Sequence, residues 1–319
     1  MNVTPEPRNA LLPDTICFLN GDYTALKDAK ISVMDRGFIF GDGVYEVLPV
    51  YAGQVFRFDQ HVARLARSLA ELRITNPYTP AQWLEIATIL IASHAHSTGA
   101  DAQNGTKKNG GLPAQLIYIQ VTRGVAPRDH VMLPDLIPTV FVMINKMTMP
   151  SAEQRDQGVA CVTAEDFRWK KAHIKSTSLL GAVFARQISF DAGAVETVMF
   201  RDGYLSEAAA SNVWVVKNGK VLGAPKDNLV LEGIRYGLIE ELCREAGIGF
   251  ELRRISRDEV FSADELLLSS ATKEVLAITK LDDKPVGNGA TRGLPGPVYA
   301  RLYEAYQRAK PAPVTITAA

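Results

Sequence analysis

The sequence predicts a two-domain, mixed α/β protein. Three observations carry this: a length of 319 residues, 47% hydrophobic against 22% charged residues, and an apolar pattern that switches between period two and period 3.6. A chain of this size and composition can bury two cores, and disorder is not its default state. From Thr15, the runs ICFLN-GD-YTAL and YEVLPVY-AG-QVFRF are strand formers broken by turn residues, which predicts hairpins. FDQHVARLARSLAELRI changes to a helical period, with Val62, Leu65, Leu69 and Leu72 on one face and arginines on the other. A second helix runs from Pro80 to about Ser97 through Trp83, Ile86, Ala87, Leu90 and Ile91. AQLIYIQVTRG and TVFVMINK are the strands that complete the first half.

The second half opens on the strand GVACVTAEDF, followed by a basic segment and the helix SLLGAVFARQISFDAGA, with Ser176, Thr177 and Ser178 as candidate N-caps. Asp202-Gly203 and Asn218-Gly219 are strong hairpin turns in an expected β-meander of TVMF, YLSE, VWVV and KVLG. A helix opens near Gly233, then come the strand ELLLSS and the helix VYARLYEAYQRAK. The expected divisions are an extension over 1–14, a small α/β domain over 15–146 with an exposed loop over 97–113, a linker over 147–157, a second domain over 158–308 and a tail over 309–319.

Charge and cysteine content narrow the function. Lys plus Arg equals Asp plus Glu at 35 each, so no net field draws the chain to nucleic acid or anionic lipid, and a small-molecule partner is favoured. Cys17, Cys161 and Cys243 are odd in number and far apart, which argues against a disulfide framework or a zinc knuckle and for a reducing cytoplasm. No apolar run approaches the ~20 residues that span a bilayer, and the first residues lack the features of a signal peptide.

Several residues have chemistry beyond packing. Lys175, in AHIKSTSLLG, has Arg168, Lys170, Lys171 and His173 nearby in sequence and a helix start after it, conditions that favour a nucleophilic amine; taken alone, a solvated lysine in a basic patch is the more ordinary reading. Glu207, among the small residues of YLSEAAASN, is either a buried carboxylate in need of a cation or an edge-strand residue facing water. Gly233, Ile234 and Arg235 stand where backbone N–H groups at a helix start can meet an anion, and Ser269, Ser270 and Thr272 add hydroxyls at a strand end. Arg64 offers a fork for phosphate or a surface charge. Arg128 and His130 are spaced to converge on one carboxylate, and strand alternation sends Tyr45 and Val47 to one face, where Tyr45 is otherwise a core aromatic. His94 and His96 lack further ligands nearby, which favours a solvent-facing helix end over a metal site.

In order along the chain, DRGFIFGDGVYEV, HVARL, VTRGVAPRDH, HIKSTSLLGAVFARQ, LSEAAASN, LEGIRYG and LSSATKEVL resemble the fold-type IV pyridoxal-phosphate enzymes, most closely the D-amino-acid aminotransferases, from about Phe18 to about Lys284. The resemblance implies a small N-terminal α/β domain and a larger C-terminal domain with a barrel-like sheet. It also implies pyridoxal 5′-phosphate held as a Schiff base by Lys175, with Glu207 on the pyridine nitrogen, Arg64 on the phosphate and Leu231 against the ring. Gly233, Ile234 and Arg235, with Ala271 and Thr272 of the SSAT turn, belong to the phosphate site; Ala271 stands where relatives often have threonine. Tyr45, Val47, Arg128 and His130 are the implied substrate contacts, the Arg-x-His loop reaching in from the other subunit of a homodimer. The implied reaction passes an amino group between D-amino acids and 2-oxo acids. Branched-chain L-aminotransferase, R-selective amine transaminase and aminodeoxychorismate lyase are the rivals within the family, and a cofactor-binding protein without turnover is the rival outside it.

Overall fold

Turn chemistry sets the strand boundaries. A computed structural model of the chain describes residues 12, 15–99 and 113–312; most of the expected 97–113 loop, the N-terminal extension and the end of the tail lie outside the described residues. The chain divides into two units, the first holding residues up to Met147 together with Lys175–Ser178, the second holding Thr148–Ile174 and Leu179–Lys310.

In the first unit, β1 (Ile16–Leu19), β2 (Asp22–Ala25), β3 (Gly43–Tyr51), β4 (Gln54–Val55), β5 (Gln115–Thr122) and β6 (Thr139–Lys146) form an antiparallel sheet in the order β2-β1-β6-β5-β3-β4. The short helix α1 (Arg36–Phe40) precedes β3, and α2 (Phe58–Glu71) and α3 (Pro80–Gly99) follow the β3-β4 hairpin, α2 packing on β3 and α3 on β1 and β6. Alternation works as predicted in β5, where Ile117, Ile119 and Val121 are buried while Tyr118 and Gln120 lie on the half-buried face. Two expectations fail for α2 and α3. Arg64 lies on the buried side of α2 because the carboxylate of Glu46 is there to receive it. His94 is buried as well, its Nδ1 bonded to the Gln115 side chain at 3.0 Å, while the side chain of His96 lies outside the described residues.

The second unit carries a nine-stranded sheet. It contains β7 (Val159–Glu165), β8 (Glu196–Arg201), β9 (Tyr204–Ala208), β10 (Asn212–Lys217), β11 (Lys220–Gly223), β12 (Gly249–Leu252), β13 (Glu265–Ser270) and β14 (Glu274–Leu281) in the order β12-β11-β10-β13-β14-β7-β8-β9, with β15 (Lys284–Pro285) on β14. The predicted hairpins form at Asp202-Gly203 and Asn218-Gly219, whose φ values of 53°, 79°, 51° and 72° are the left-handed conformations such turns require. The meander does not form as a continuous run. The chain turns at Ala208–Ser211, where Ala208 N–H donates to Ser211 O, so β9 ends the sheet while β10 pairs with β11 and β13. Inward residues of both stretches, including Val198, Phe200, Val213, Val215, Leu266 and Leu268, share one core. Five helices complete the unit: α4 (Ala152–Gln157), capped by Ser151, α5 (Leu180–Asp191), α6 (Ile234–Glu245), α7 (Arg257–Phe261) and α8 (Pro297–Ala309).

The candidate N-caps of α5 serve elsewhere. The helix starts only at Leu180, with Leu179 as an N-cap that makes no side-chain bond. Ser176 bridges Val44, and the Thr177 and Ser178 hydroxyls donate to Gly41 O at 2.9 and 3.0 Å, so the segment is used as an extended strip along β3. Gly41 ends α1 at φ +65°, and a Cβ there would stand 2.9 Å from Ser178 Oγ. Gly41→Ala is therefore expected to lower the urea midpoint by the equivalent of roughly 1–3 kcal/mol; an unchanged midpoint would show that the strip does not depend on this close approach.

Candidate functional site

In the first unit the register of one antiparallel contact decides what Lys175 touches. Tyr45 N–H donates to Lys175 O at 2.9 Å and Thr177 N–H to Gly43 O at 2.9 Å, on either side of the Val44–Ser176 bridge. Lys175 is thus the cross-strand partner of Tyr45, on the same face, and its Nζ lies 3.9 Å from the centre of the Tyr45 ring. Lys175 is half-buried, and among the described residues its amine makes no ion pair. Tyr45 stacks on Tyr118 at 5.8 Å, and Tyr118 pairs with Val47 in register, so Tyr45, Val47 and Lys175 share one face. Burial pushes the Tyr118 hydroxyl up to about 12, so it stays neutral and donates to Gln120 Oε1 at 2.7 Å.

The other face of β3 is charged and closed. Glu46 is fully buried and receives Arg64 Nε at 2.9 Å, Arg64 Nη2 at 2.5 Å and His61 Nδ1 at 2.9 Å. Burial pushes this carboxyl upward, but Arg64 and His61 outweigh it and hold Glu46 well below the usual carboxylate range. Just before β3, Asp42 receives Arg123 Nε at 2.7 Å and Arg36 Nε at 2.8 Å, and Arg123 Nη2 also donates to Leu72 O at the end of α2. Arg128 and His130 are both exposed, and each lies against the Phe40 ring, at 5.4 and 5.3 Å.

In the second unit Glu207 is only 4% exposed. Oε1 accepts from Arg168 Nη1 at 2.7 Å and from Leu231 N–H at 3.3 Å, while Oε2 accepts from Asn212 Nδ2 at 3.0 Å. Arg168 is itself fixed by a two-point bond to Asp166, at 3.0 and 2.9 Å. Burial still leaves the Glu207 carboxyl above its ordinary range, against the pull of Arg168. Arg168, Asp166 and Asn212 escape notice in the sequence, where Arg168 reads as a neighbour of Lys175; the one local signal is the Asp-x-Arg spacing.

Asn212 continues to the anion donors. Its Nδ2 also donates to Leu231 O at 3.0 Å, and its Oδ1 occupies the space that a Cβ on Gly233 would need, so position 233 has room only for glycine. Gly233 is the N-cap of α6 and makes no side-chain cap bond, and the Ile234 N–H, in the first turn, has no acceptor among the described residues. The same is true of the Ala271 and Thr272 N–H groups in the turn between β13 and β14. Arg235, 2% exposed, brings Nη2 within 3.5 Å of Ala271 O and so ties the two donor sets together. Ser269 is not part of this set: it is buried and accepts from the Trp214 indole at 2.9 Å. Among the described residues no group of three His, Cys, Asp or Glu could hold a metal ion.

A family model described as amino-transferase class IV matches residues 43–281, and the chain belongs to that family. It is 35% identical to a D-alanine aminotransferase of Bacillus licheniformis over 288 residues, 90% of this chain and 94% of that protein. With a D-alanine aminotransferase of Staphylococcus epidermidis it shares 33% over 294 residues, 92% and 97% of the two chains. Its fold matches the branched-chain amino acid aminotransferase of Escherichia coli, at a TM-score of 0.77 and 22% identity over 93% of this chain and 94% of that one. A second branched-chain amino acid aminotransferase, solved with pyridoxamine 5′-phosphate, matches at a TM-score of 0.79 with the same identity and coverage.

The family's cofactor is pyridoxal 5′-phosphate, and the second unit fits it. Glu207, with its carboxyl pushed up despite Arg168, is relieved by a further cation such as a protonated pyridine nitrogen, and the amides of Ile234, Ala271 and Thr272 suit a phosphate.

The Glu46 cluster generates a prediction. Because the folded carboxyl lies below its unfolded value, near pH 4.5, its stabilisation is complete above that pH and is lost as the pH falls further. Arg64→Met strands the buried carboxylate and is expected to cost about 3–5 kcal/mol. Urea midpoints measured from pH 6 to pH 3 should fall less steeply in Glu46→Gln than in the wild type; parallel curves would mean that Glu46 is not ionised in the fold.

Proposed function

We propose that this chain is a D-amino-acid aminotransferase that passes an amino group between D-amino acids and 2-oxo acids, with Lys175 as its Schiff-base lysine. Likeness to the two D-alanine aminotransferases over most of their length supports the substrate class. The observation that carries it is that Arg128 and His130 each lie against the Phe40 ring with their side chains exposed. Two such donors fix both the position and the plane of a carboxylate.

When bound, pyridoxal 5′-phosphate supplies an electron sink for the electrons left by the departing α-proton. Lys175 would hold the cofactor, and once the incoming substrate amine has displaced it, its freed amine would take the substrate α-proton and give it back later in the cycle. Its place on the Tyr45 ring, with no ion pair among the described residues, leaves the amine available for that transfer. Glu207 keeps a proton on the ring nitrogen, and Arg168 and Asn212 hold its two oxygens in place for this. Leu231 lies against the ring. Gly233, Ile234, Arg235, Ala271 and Thr272 bind the phosphate together with Arg64, whose plane is fixed by Glu46. Tyr45 and Val47 line the substrate side, and Arg128 and His130 take the α-carboxylate. With the carboxylate pinned and the α-proton directed at Lys175, one enantiomer has room for its side chain.

The test is a set of half-reactions followed through the cofactor's absorbance, with D- and L-alanine, D- and L-glutamate, a branched L-amino acid and an R-amine. D-alanine and D-glutamate are expected to react and their enantiomers to lag by at least about tenfold, the equivalent of one good contact. Equal rates with D- and L-alanine would overturn the substrate reading. Lys175→Ala should take up no cofactor covalently, and a pyridoxyl group found on Lys170 or Lys171 after borohydride reduction would overturn that assignment.

The active form is a homodimer in the cytoplasm. Each unit presents apolar surface of the kind that marks a partner. In the first, Val33, Phe38 and Ile137 are 71, 68 and 88% exposed, in the segments that flank Arg128. In the second, Leu180, Val183, Phe184 and Ile188 are exposed along α5 at the spacing of one helix face. The free, buried thiols of Cys17, Cys161 and Cys243 suit a reducing compartment, and no described helix is long and apolar enough to cross a membrane. If Arg128 and His130 serve the partner's site, mixing an inactive Lys175→Ala chain with an Arg128→Ala chain should restore activity, since one of the two sites is then intact. Proven subunit exchange without recovery would rule out the shared site.

A further inference from the structure

The turn that offers the Ala271 and Thr272 amides ends at Lys273, and this lysine does not reach for solvent. Its Nζ lies 2.9 Å from Glu196 Oε1, and the same oxygen accepts from Ser211 Oγ at 2.9 Å. Glu196, on β8, has no exposed surface, and its second oxygen, Oε2, is buried without a hydrogen-bond partner among the described residues. None of these three side chains is needed by the proton transfers. Burying such a pair, with one carboxylate oxygen unsatisfied, costs desolvation that a well-packed apolar pair would avoid, so stability alone does not account for it.

What the pair joins does account for it. On one side Lys273 closes the amide turn, where its own N–H donates to Ser270 Oγ at 3.1 Å. On the other side Ser211 immediately precedes Asn212, which holds Glu207 Oε2 and Leu231 O and abuts Gly233. A single carboxylate oxygen therefore links the anion-binding turn to the support of the buried Glu207.

We propose that Glu196 and Lys273 are a positioning pair that fixes the Ala271–Thr272 turn at a set distance from the Glu207 carboxylate, so that the phosphate and the ring nitrogen of one cofactor meet both ends. This rests on the reading of the site as one for pyridoxal 5′-phosphate. Neither residue touches the reacting atoms; both act through the turn and through Asn212.

Lys273→Met alone strands the Glu196 charge and risks the fold, so the informative variant is Glu196→Gln with Lys273→Met, which removes both charges and keeps an acceptor for Ser211. Three quantities are measured on the full chain: the rate at which the holoenzyme loses pyridoxal 5′-phosphate to a trap, the affinity of the cofactor-stripped chain for pyridoxal without its phosphate, and the melting midpoint of that stripped chain. The double variant is expected to lose pyridoxal 5′-phosphate on the order of tenfold faster, the equivalent of one hydrogen bond's net worth. Its pyridoxal affinity and melting midpoint are expected to match the wild type, a split that a merely structural role would not produce. Wild-type release, or equal weakening toward both ligands with a lowered midpoint, would overturn the proposal. A wild-type chain that binds no pyridoxal 5′-phosphate at all would overturn the functional reading and this inference with it.

Discussion

A carboxylate taken out of water must find positive charge or donors, and that requirement organises the second unit around Glu207. Its oxygens draw in Arg168, Asn212 and the Leu231 amide, and each of these is anchored in turn: Arg168 by Asp166, and Asn212 by Leu231 O and by its seat on Gly233. The same rule appears in the first unit, where Glu46 gathers Arg64 and His61, and Asp42 gathers Arg36 and Arg123. Around Asp42 the electrostatic need places backbone as well as side chain, because Arg123 also donates to Leu72 O and Arg36 to Asp129 O.

This division of labour gives the two faces of β3 opposite characters. Glu46 points into a closed interior, where Arg64 and His61 meet it, while its neighbours Tyr45 and Val47 stay half-buried on the face where Lys175 lies. Strand alternation separates the two environments by a single residue. The ionic cluster and the Lys175 amine therefore stand on opposite faces of the same strand.

Period and turn chemistry make much of the fold legible: the hairpins at Asp202-Gly203 and Asn218-Gly219, the buried stripe of Val62, Leu65 and Leu69, and the start of α6 after Gly233 are all readable from local pattern. The shared face of Tyr45 and Val47 is readable too. That Lys175 joins them is not, because it follows from the register of a pair 132 residues apart, Val44 with Ser176, which no local period encodes. The same limit explains why Arg168 looks like a neighbour of Lys175 when its partner is Glu207, 39 residues further on. It also explains the misplaced caps of α5, since Thr177 and Ser178 spend their hydroxyls on Gly41. Ser-Thr-Ser before an apolar run looks like a cap only while the acceptor elsewhere is unknown. Arg64 and His94 look like surface residues in sequence because their buried partners, Glu46 and Gln115, lie on strands distant along the chain.

The strip Lys175–Ser178 groups with the first unit, while the chain on both sides of it belongs to the second. No single cut in the gene therefore yields two self-sufficient halves. Truncation after Met147 removes the strip from the edge of β3, and a fragment beginning at Thr148 has the lysine without the strand that orients it. The chain thus enters and leaves this strip from the second unit, while the strip itself counts with the first, so neither unit is one continuous stretch of sequence.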